Sequence, residues 1–284
     1  MNVIEIISTA TEIQARSDRM RRQGKTIVFV PTMGFLHEGH LSLIREGKTH
    51  GDDLVVSIFV NPTQFGPGED LETYPRDLER DLDLVRKEGA DAVFVPDVHE
   101  IYGDRFQTYV ELEKLPHHLC GNSRPVFFKG VATVVAKLFN IVKPHVAVFG
   151  QKDYQQLVII RQMVRDLNFD ITVIGGPTVR EPDGLALSSR NTYLTPEQRE
   201  SARSLCQALD NAQLLLEGGT KDASEIIDSA TDLIQSYPDT EIDYIAICDP
   251  ETLVDVETID RPVRMALAVK VGKARLIDNM LLTP

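Results

Sequence analysis

His37 and His40, flanking Glu38-Gly39, are the side chains best placed to do chemistry in this 284-residue chain. They follow an apolar, β-rich run at 26–30 and the turn Pro31-Thr32-Met33-Gly34-Phe35-Leu36. A helical pattern carrying Leu41, Leu43 and Ile44 comes next. Histidines at this spacing in a first helical turn share one face. The free N–H groups and the dipole of a helix start favour an anion there. Gly39 removes a side chain where a ligand would approach the backbone. An imidazolium at this point can stabilise charge growing on a phosphate, or protonate a departing pyrophosphate. Taken singly, either histidine could instead be a helix cap or a packing group.

Further segments carry suitable residue types. Asn61-Pro62-Thr63-Gln64-Phe65 closes a strand pattern. It reads either as a pocket that hydrogen-bonds hydroxyl or carboxylate groups or as a turn held by Asn before Pro. In Gly150-Gln151-Lys152-Asp153-Tyr154-Gln155-Gln156, Gly150 permits close backbone approach and Lys152 offers a point charge for phosphates. Gln156 falls in the first turn of the helix that follows. Leu187-Ser188-Ser189-Arg190-Asn191 sets hydroxyls beside a guanidinium, a usable triphosphate clamp or merely a polar loop. Arg124-Pro125-Val126-Phe127-Phe128-Lys129-Gly130 could close over a substrate, or its phenylalanines could be core. Asp81 is the carboxylate to watch for a metal, although a lone helix carboxylate is usually solvated.

The elements that must position these groups follow an alternating pattern. Strands are expected at 26–30, 54–60, 92–95, 146–149 and 171–174, with helices at 36–49, 78–88, 131–142 and 154–168. Apolar continuity in the strands suits a sheet covered on both faces. The fold class is α/β: a Rossmann-like doubly wound parallel sheet with a smaller α+β C-terminal domain. Domain limits are expected at 1–178 and 179–284. Ligands in such sheets bind beyond the carboxyl ends of the strands, where 31–40, 61–65 and 150–153 all lie. After Gly175-Gly176-Pro177, Thr195-Pro196-Glu197-Gln198 reads as a capping box opening one helix to Glu217, ended by Gly218-Gly219. Asp222 caps a further helix, and strand patterns follow at 242–248 and 263–269.

The whole-chain balance narrows the class. A net charge of −13 gives no basic field for nucleic acid or an anionic membrane. Cys120, Cys206 and Cys248 are odd in number and widely spaced, as expected of reduced thiols and not of a disulfide or zinc framework. Neither a signal peptide nor a transmembrane run is legible. A cytoplasmic protein is expected.

Together these motifs resemble the pantothenate synthetases, also called pantoate–β-alanine ligases. The resemblance runs through Pro31 to His40, Ser57-Ile58-Phe59-Val60-Asn61-Pro62 with Gln64-Phe65, Tyr74-Pro75-Arg76 and Lys137-Leu138-Phe139-Asn140. It continues through Gly150 to Gln156, Asp183 to Asn191, and Arg275-Leu276-Ile277-Asp278-Asn279. It implies ATP-dependent condensation of (R)-pantoate with β-alanine to pantothenate. Pantoate's carboxylate attacks the ATP α-phosphate, pyrophosphate leaves, and β-alanine's amine then displaces AMP from the pantoyl adenylate.

By the same resemblance Met33, Gly34, Phe35, Leu36, His37, Glu38, Gly39 and His40 contact ATP, as do Gly150, Gln151, Lys152, Asp153, Val179, Leu187, Ser188, Ser189 and Arg190. His40, His37 and Lys152 take the catalytic roles, with His40 the proton donor. Gln64 meets pantoate near the β-alanine site, and Gln156 is a further pantoate contact. Mg²⁺ is expected with ATP, and a homodimer whose smaller domain covers the crevice. One departure stands out: the family's Arg-Pro-Gly-His-Phe is here Arg124-Pro125-Val126-Phe127-Phe128. A nucleotidyltransferase that stops at AMP transfer, or a non-catalytic nucleotide sensor, are the competing readings.

Overall fold

The strand segments 27–32, 53–58 and 92–94 bury every residue but Pro31, because helices cover both faces of the sheet they build. The computed structural model describes residues 4–284. Up to residue 177 the chain runs β1 (Glu5–Ile7), α1 (Ala10–Arg22), β2 (Ile27–Thr32), α2 (Glu38–Lys48), β3 (Asp53–Ile58), α3 (Leu78–Glu88) and β4 (Ala92–Phe94). It continues through α4 (Val98–Ile101), α5 (Cys120–Ser123), α6 (Phe127–Val142), β5 (Val146–Gly150), α7 (Tyr154–Asp166) and β6 (Thr172–Gly176). The strands are all parallel in the order β1-β4-β3-β2-β5-β6. The order reverses between β2 and β5, so the switch point lies where β2 feeds Met33–His40 and β5 ends at Gly150.

The rest forms α8 (Pro196–Ala202), α9 (Ser204–Glu217), α10 (Ala223–Gln235), β7 (Thr240–Cys248), β8 (Val263–Val271) and β9 (Ala274–Leu282). These strands pair antiparallel in the order β7-β8-β9. Ala208, Leu209, Ala212, Ile226, Ala230 and Ile234 share one apolar cluster with Met265, Leu267 and Val269. The chain divides into two compact units: residues 1–113, 124–151 and 156–177, and residues 114–123, 152–155 and 178–284.

The doubly wound α/β sheet and small α+β part expected from the alternation are present, with differences in detail. β1, α1 and β9 are additions to the expected elements. On α1 the buried stripe is Ile13, Arg16, Ser17 and Met20, so half of it reads as polar. Arg16 is accommodated by a two-point bond to Asp53, at 2.7 and 2.8 Å, with both side chains almost wholly buried.

α6 starts at Phe127 instead of 131, with Gly130 inside it. A Cβ at Gly130 would lie 2.3 Å from the Thr63 carbonyl oxygen, so close packing retains this glycine. α2 begins at Glu38 instead of 36, because Gly34 and Phe35 have left-handed φ of 83° and 49°. The helix expected from the Thr195 cap to Glu217 is interrupted at Arg203. There the Ser204 hydroxyl and Cys206 thiol donate to the carbonyls of Ser201 and Arg203, competing with the helical ladder.

Candidate active site

The turn from β2 into α2 is fixed by one carboxylate. Asp81, on α3 and only 1 % exposed, accepts the Phe35 N–H at 2.6 Å and the Leu36 N–H at 2.8 Å, one on each oxygen. Those bonds hold the left-handed Gly34-Phe35 pair. Gly34 is required by the fit as well, since a Cβ there would meet Asp81 Oδ2 and Ile58 at 3.0 Å. Asp81 is therefore a buried loop clamp, unlike the solvated carboxylate usual on a helix. Burial raises its pKa above the ordinary carboxylate value, against the two N–H bonds and Arg80.

Beyond the clamp, His37 is the N-cap of α2 and His40 its partner in a capping box. His37 Nδ1 accepts the Gly39 N–H at 3.2 Å, and His40 Nδ1 accepts the His37 N–H at 3.3 Å. The ring centroids are 4.1 Å apart. The capping role, offered in the sequence as the alternative for a single histidine, is present at both rings. Each ring is oriented by the contact of its Nδ1 with a backbone N–H of the cap. Glu38 pairs with Arg45, away from the ring–ring contact.

At the end of β3, Asn61 caps a single 3-10 turn, Pro62–Gln64. Its Oδ1 accepts the Tyr102 hydroxyl at 2.7 Å and the Thr63 hydroxyl at 2.9 Å. Its Nδ2 donates to Gln64 Oε1 at 3.0 Å and to the Gly130 carbonyl at 3.2 Å. Gln64 Nε2 then donates to Met33 Sδ at 3.0 Å, joining this turn to the β2 loop. Arg124 donates to both Glu69 oxygens, at 2.7 and 2.5 Å, and to the Gln64 carbonyl at 3.4 Å. Its guanidinium stacks 3.8 Å from the centroid of Phe127, which with Val126 departs from the family pattern. Phe128 is core, as the alternative reading had it. Gly150 ends β5, and Gln151 donates to the Gly175 carbonyl at 2.9 Å. Gln156 lies in the first turn of α7 and is half-buried.

The second unit brings Val179 together with Leu187–Arg190. Leu187 N–H donates to the Val179 carbonyl at 3.0 Å, Arg180 bridges to Ala186, and Glu181 N–H reaches the Leu185 carbonyl. This hairpin turns at Asp183-Gly184, where Gly184 has φ 92°. Ion pairs support it: Arg180 grips Asp278 at 2.5 and 2.9 Å, and Arg199 reaches Glu181 and Asp183. Ser188 caps the turn Ser189–Tyr193, and Asn191 Nδ2 ties it to Glu181 and the Ala186 carbonyl. In the same unit, Asn279 donates to the Lys152 carbonyl at 2.9 Å, while Lys152 Nζ sits 4.0 Å from Asp153.

The chain matches the family model described as pantoate-beta-alanine ligase over residues 5–281. It is 61% identical to a pantothenate synthetase of Desulfatibacillum aliphaticivorans over 281 residues, covering 99% of this chain and 100% of that protein. A pantothenate synthetase of Thermotoga petrophila is 57% identical over 279 residues, 98% of this chain and 100% of that protein. The solved pantothenate synthetase of Thermus thermophilus superposes with TM-score 0.94 at 45% identity, covering 99% and 100% of the two chains. The chain belongs to the pantoate–β-alanine ligase family. A Francisella tularensis ligase, described as complexed with Beta-gamma ATP and Beta-alanine, superposes with TM-score 0.80 at 35% identity over 98% of each chain.

This ligase is thus an enzyme of pantothenate synthesis. Reading its sequence missed Asp81 as a clamp and Tyr102 as an anchor. The signal for Asp81 was its place on α3, whose ends the Asp77 cap and Gly89 mark out. Among the described residues no three His, Cys, Asp or Glu side chains gather as a metal site, and none of the helices is long and apolar enough to cross a membrane. All three cysteines are free and buried.

Proposed function

We propose that this ligase condenses (R)-pantoate with β-alanine in two half-reactions at the switch point of its parallel sheet. The pantoate carboxylate attacks the α-phosphate of ATP, the bond to the β-phosphate breaks, and pyrophosphate departs. The β-alanine amine then attacks the acyl carbon of the pantoyl adenylate, losing a proton as the bond to AMP breaks. A carboxylate is a poor acyl donor until its oxygen can leave as AMP, and this order supplies that leaving group. The pairing of His37 and His40 on a helix N-terminus carries the reading, because imidazoles there suit an anion and, once protonated, can pass a proton to a departing pyrophosphate oxygen.

In this reading His40 donates the proton, with His37 and Lys152 stabilising phosphate charge. Met33, Gly34, Phe35, Leu36, Glu38, Gly39, Gly150, Gln151, Asp153, Val179, Leu187, Ser188, Ser189 and Arg190 complete the ATP contacts. Gln64 holds pantoate beside β-alanine, and Gln156 holds pantoate. Mg²⁺ would arrive on the triphosphate, whose oxygens supply its ligands, and would neutralise part of the charge. Asp81, with both oxygens taken by N–H groups, is not offered to it. A cytoplasmic homodimer completes the proposal.

The test is AMP and pyrophosphate release from ATP and Mg²⁺ with pantoate alone, then with β-alanine added. Steady AMP formation that needs both acids, with pantothenate accumulating, is the expected result. ATP binding without either product would overturn it in favour of a nucleotide sensor.

A further inference from the structure

Gln64 is held so that its amide has a single sense. Nδ2 of Asn61 donates to Gln64 Oε1, which leaves Nε2 of Gln64 as the donor facing Met33 and the ligand side. A flipped Gln64 would set two N–H₂ groups against each other at 3.0 Å. The sense of Asn61 is in turn fixed by partners of unambiguous chemistry. Gly130 offers only a carbonyl to Nδ2, while the backbone N–H of Thr63, at 3.4 Å, must meet Oδ1. Those two bonds are at the long end of the range. The short one is from Tyr102, whose hydroxyl lies 2.7 Å from Asn61 Oδ1 and 3.1 Å from the Thr63 hydroxyl.

We propose that Tyr102 is a positioning residue for pantoate recognition, anchoring a relay Tyr102 O–H → Asn61 → Gln64 that makes Gln64 a one-way hydrogen-bond donor. The inference deepens the assignment of Gln64 to pantoate and rests on it. A donor-only amide selects acceptor oxygens, a carboxylate or the lone pair of a hydroxyl, and rejects a ligand that presents N–H at that point. Asn61 is 1 % exposed and Gln64 7 % exposed, so water does not compete for the internal links. The phenol stays a donor across the working range, since burial pushes its pKa up to about 12 against the opposing contact with the Thr63 hydroxyl. Its ring is itself braced, edge-on to Phe106 at 4.8 Å and beneath Lys137 Nζ at 5.9 Å.

Tyr102→Phe removes the anchor and keeps the ring. With ATP and β-alanine saturating, KM for pantoate is expected to rise roughly threefold to tenfold, the worth of one neutral hydrogen bond. KM for ATP should stay unchanged, and kcat should stay within about twofold. A purely structural role would lower the melting temperature without this split. An unchanged pantoate KM, or equal rises for pantoate and ATP, would overturn the relay. If Tyr102→Phe does not fold, Thr63→Val removes the other hydroxyl on Asn61 Oδ1 and must show the same split.

Solvent exchange of the Gln64 side-chain amide, read in protein labelled with ¹⁵N-glutamine, needs no turnover. It should be slow in the wild type and faster in either variant; equal exchange would overturn the relay. Wild-type protein that shows the exchange difference but no pantoate-dependent AMP would count against the ligase reading and leave the relay standing.

Discussion

Two of the segments assigned to ATP, the 33–40 turn and the 179–191 hairpin, are built on opposite principles. The 33–40 turn is fixed by a buried carboxylate on two backbone N–H groups, a left-handed Gly34-Phe35 pair and reciprocal histidine caps. The 179–191 hairpin is fixed by backbone pairing and by ion pairs, several of them a quarter to a third exposed, such as Arg199 with Glu181 and Asp183. The first construction is insensitive to salt and leaves its groups little freedom, as would suit the proposed proton transfer at one place. The second is softened by salt, as would suit the proposed role of a segment that grips and releases a polyanion.

His40→Ala puts the largest strain on that contrast. It should cut the rate of adenylate formation about 10²-fold or more while retaining part of the ATP affinity, measured by single-turnover quench. Arg190→Ala should do the reverse, raising KM for ATP more than it lowers kcat. Near-normal first-step kinetics in His40→Ala would remove the division of labour. Next in size is Asp81→Ala, which leaves two buried N–H groups unpaired and should destabilise by about 3 kcal/mol, read by urea unfolding. A loss no larger than that of Arg199→Ala, which should stay below about 1 kcal/mol, would mean the two loops are held equally firmly.

Acid separates them by sign. Asp81 has its pKa raised, chiefly by burial, so the folded chain holds that proton more tightly than the unfolded chain. Its contribution is greatest below the ordinary value of 3.8 and declines as pH rises through the raised one. For Asp183 burial also acts upward, but the Leu185 N–H and Arg199 outweigh it and the pKa is lowered. Its contribution is present above 3.8 and is lost as pH falls through the lowered value. Melting curves of Asp81→Asn and Asp183→Asn against wild type, between about pH 3 and 7, should therefore slope in opposite directions. Parallel slopes would contradict the assignment. The smallest effect is expected at Phe127→Ala, where loss of the Arg124 stack should cost about 1 kcal/mol or less. A larger rise in pantoate KM would show that Phe127 restrains Gln64 through Arg124.

Much of this architecture was readable where polarity and burial agree. α3 was bounded correctly because Asp77 caps it and Gly89 turns left-handed after it. The antiparallel β7 and β8 announced themselves through apolar runs, whereas β9 did not. It buries Asp278 and Asn279, whose polarity hides a strand that grips Arg180, Arg264 and the Lys152 carbonyl. α1 was hidden in the same way by Arg16 and Ser17. In the site, chemistry-bearing residues were visible as types and spacings. Their supports were not: Asp81 and Tyr102 lie 45 and 41 residues along the chain from the groups they hold, Leu36 and Asn61. Long-range partners of that sort leave no periodic trace.

Gly130 bears on how this enzyme could be altered. With the Thr63 carbonyl 2.3 Å from where a methyl group would stand, and its own carbonyl bound to Asn61, the glycine welds α6 to the Gln64 turn. The Gln64 turn cannot retreat on that side without carrying a 16-residue helix with it. Met33, whose thioether meets the Gln64 amide at 3.0 Å, is by contrast an unbranched side chain that can change size without moving backbone.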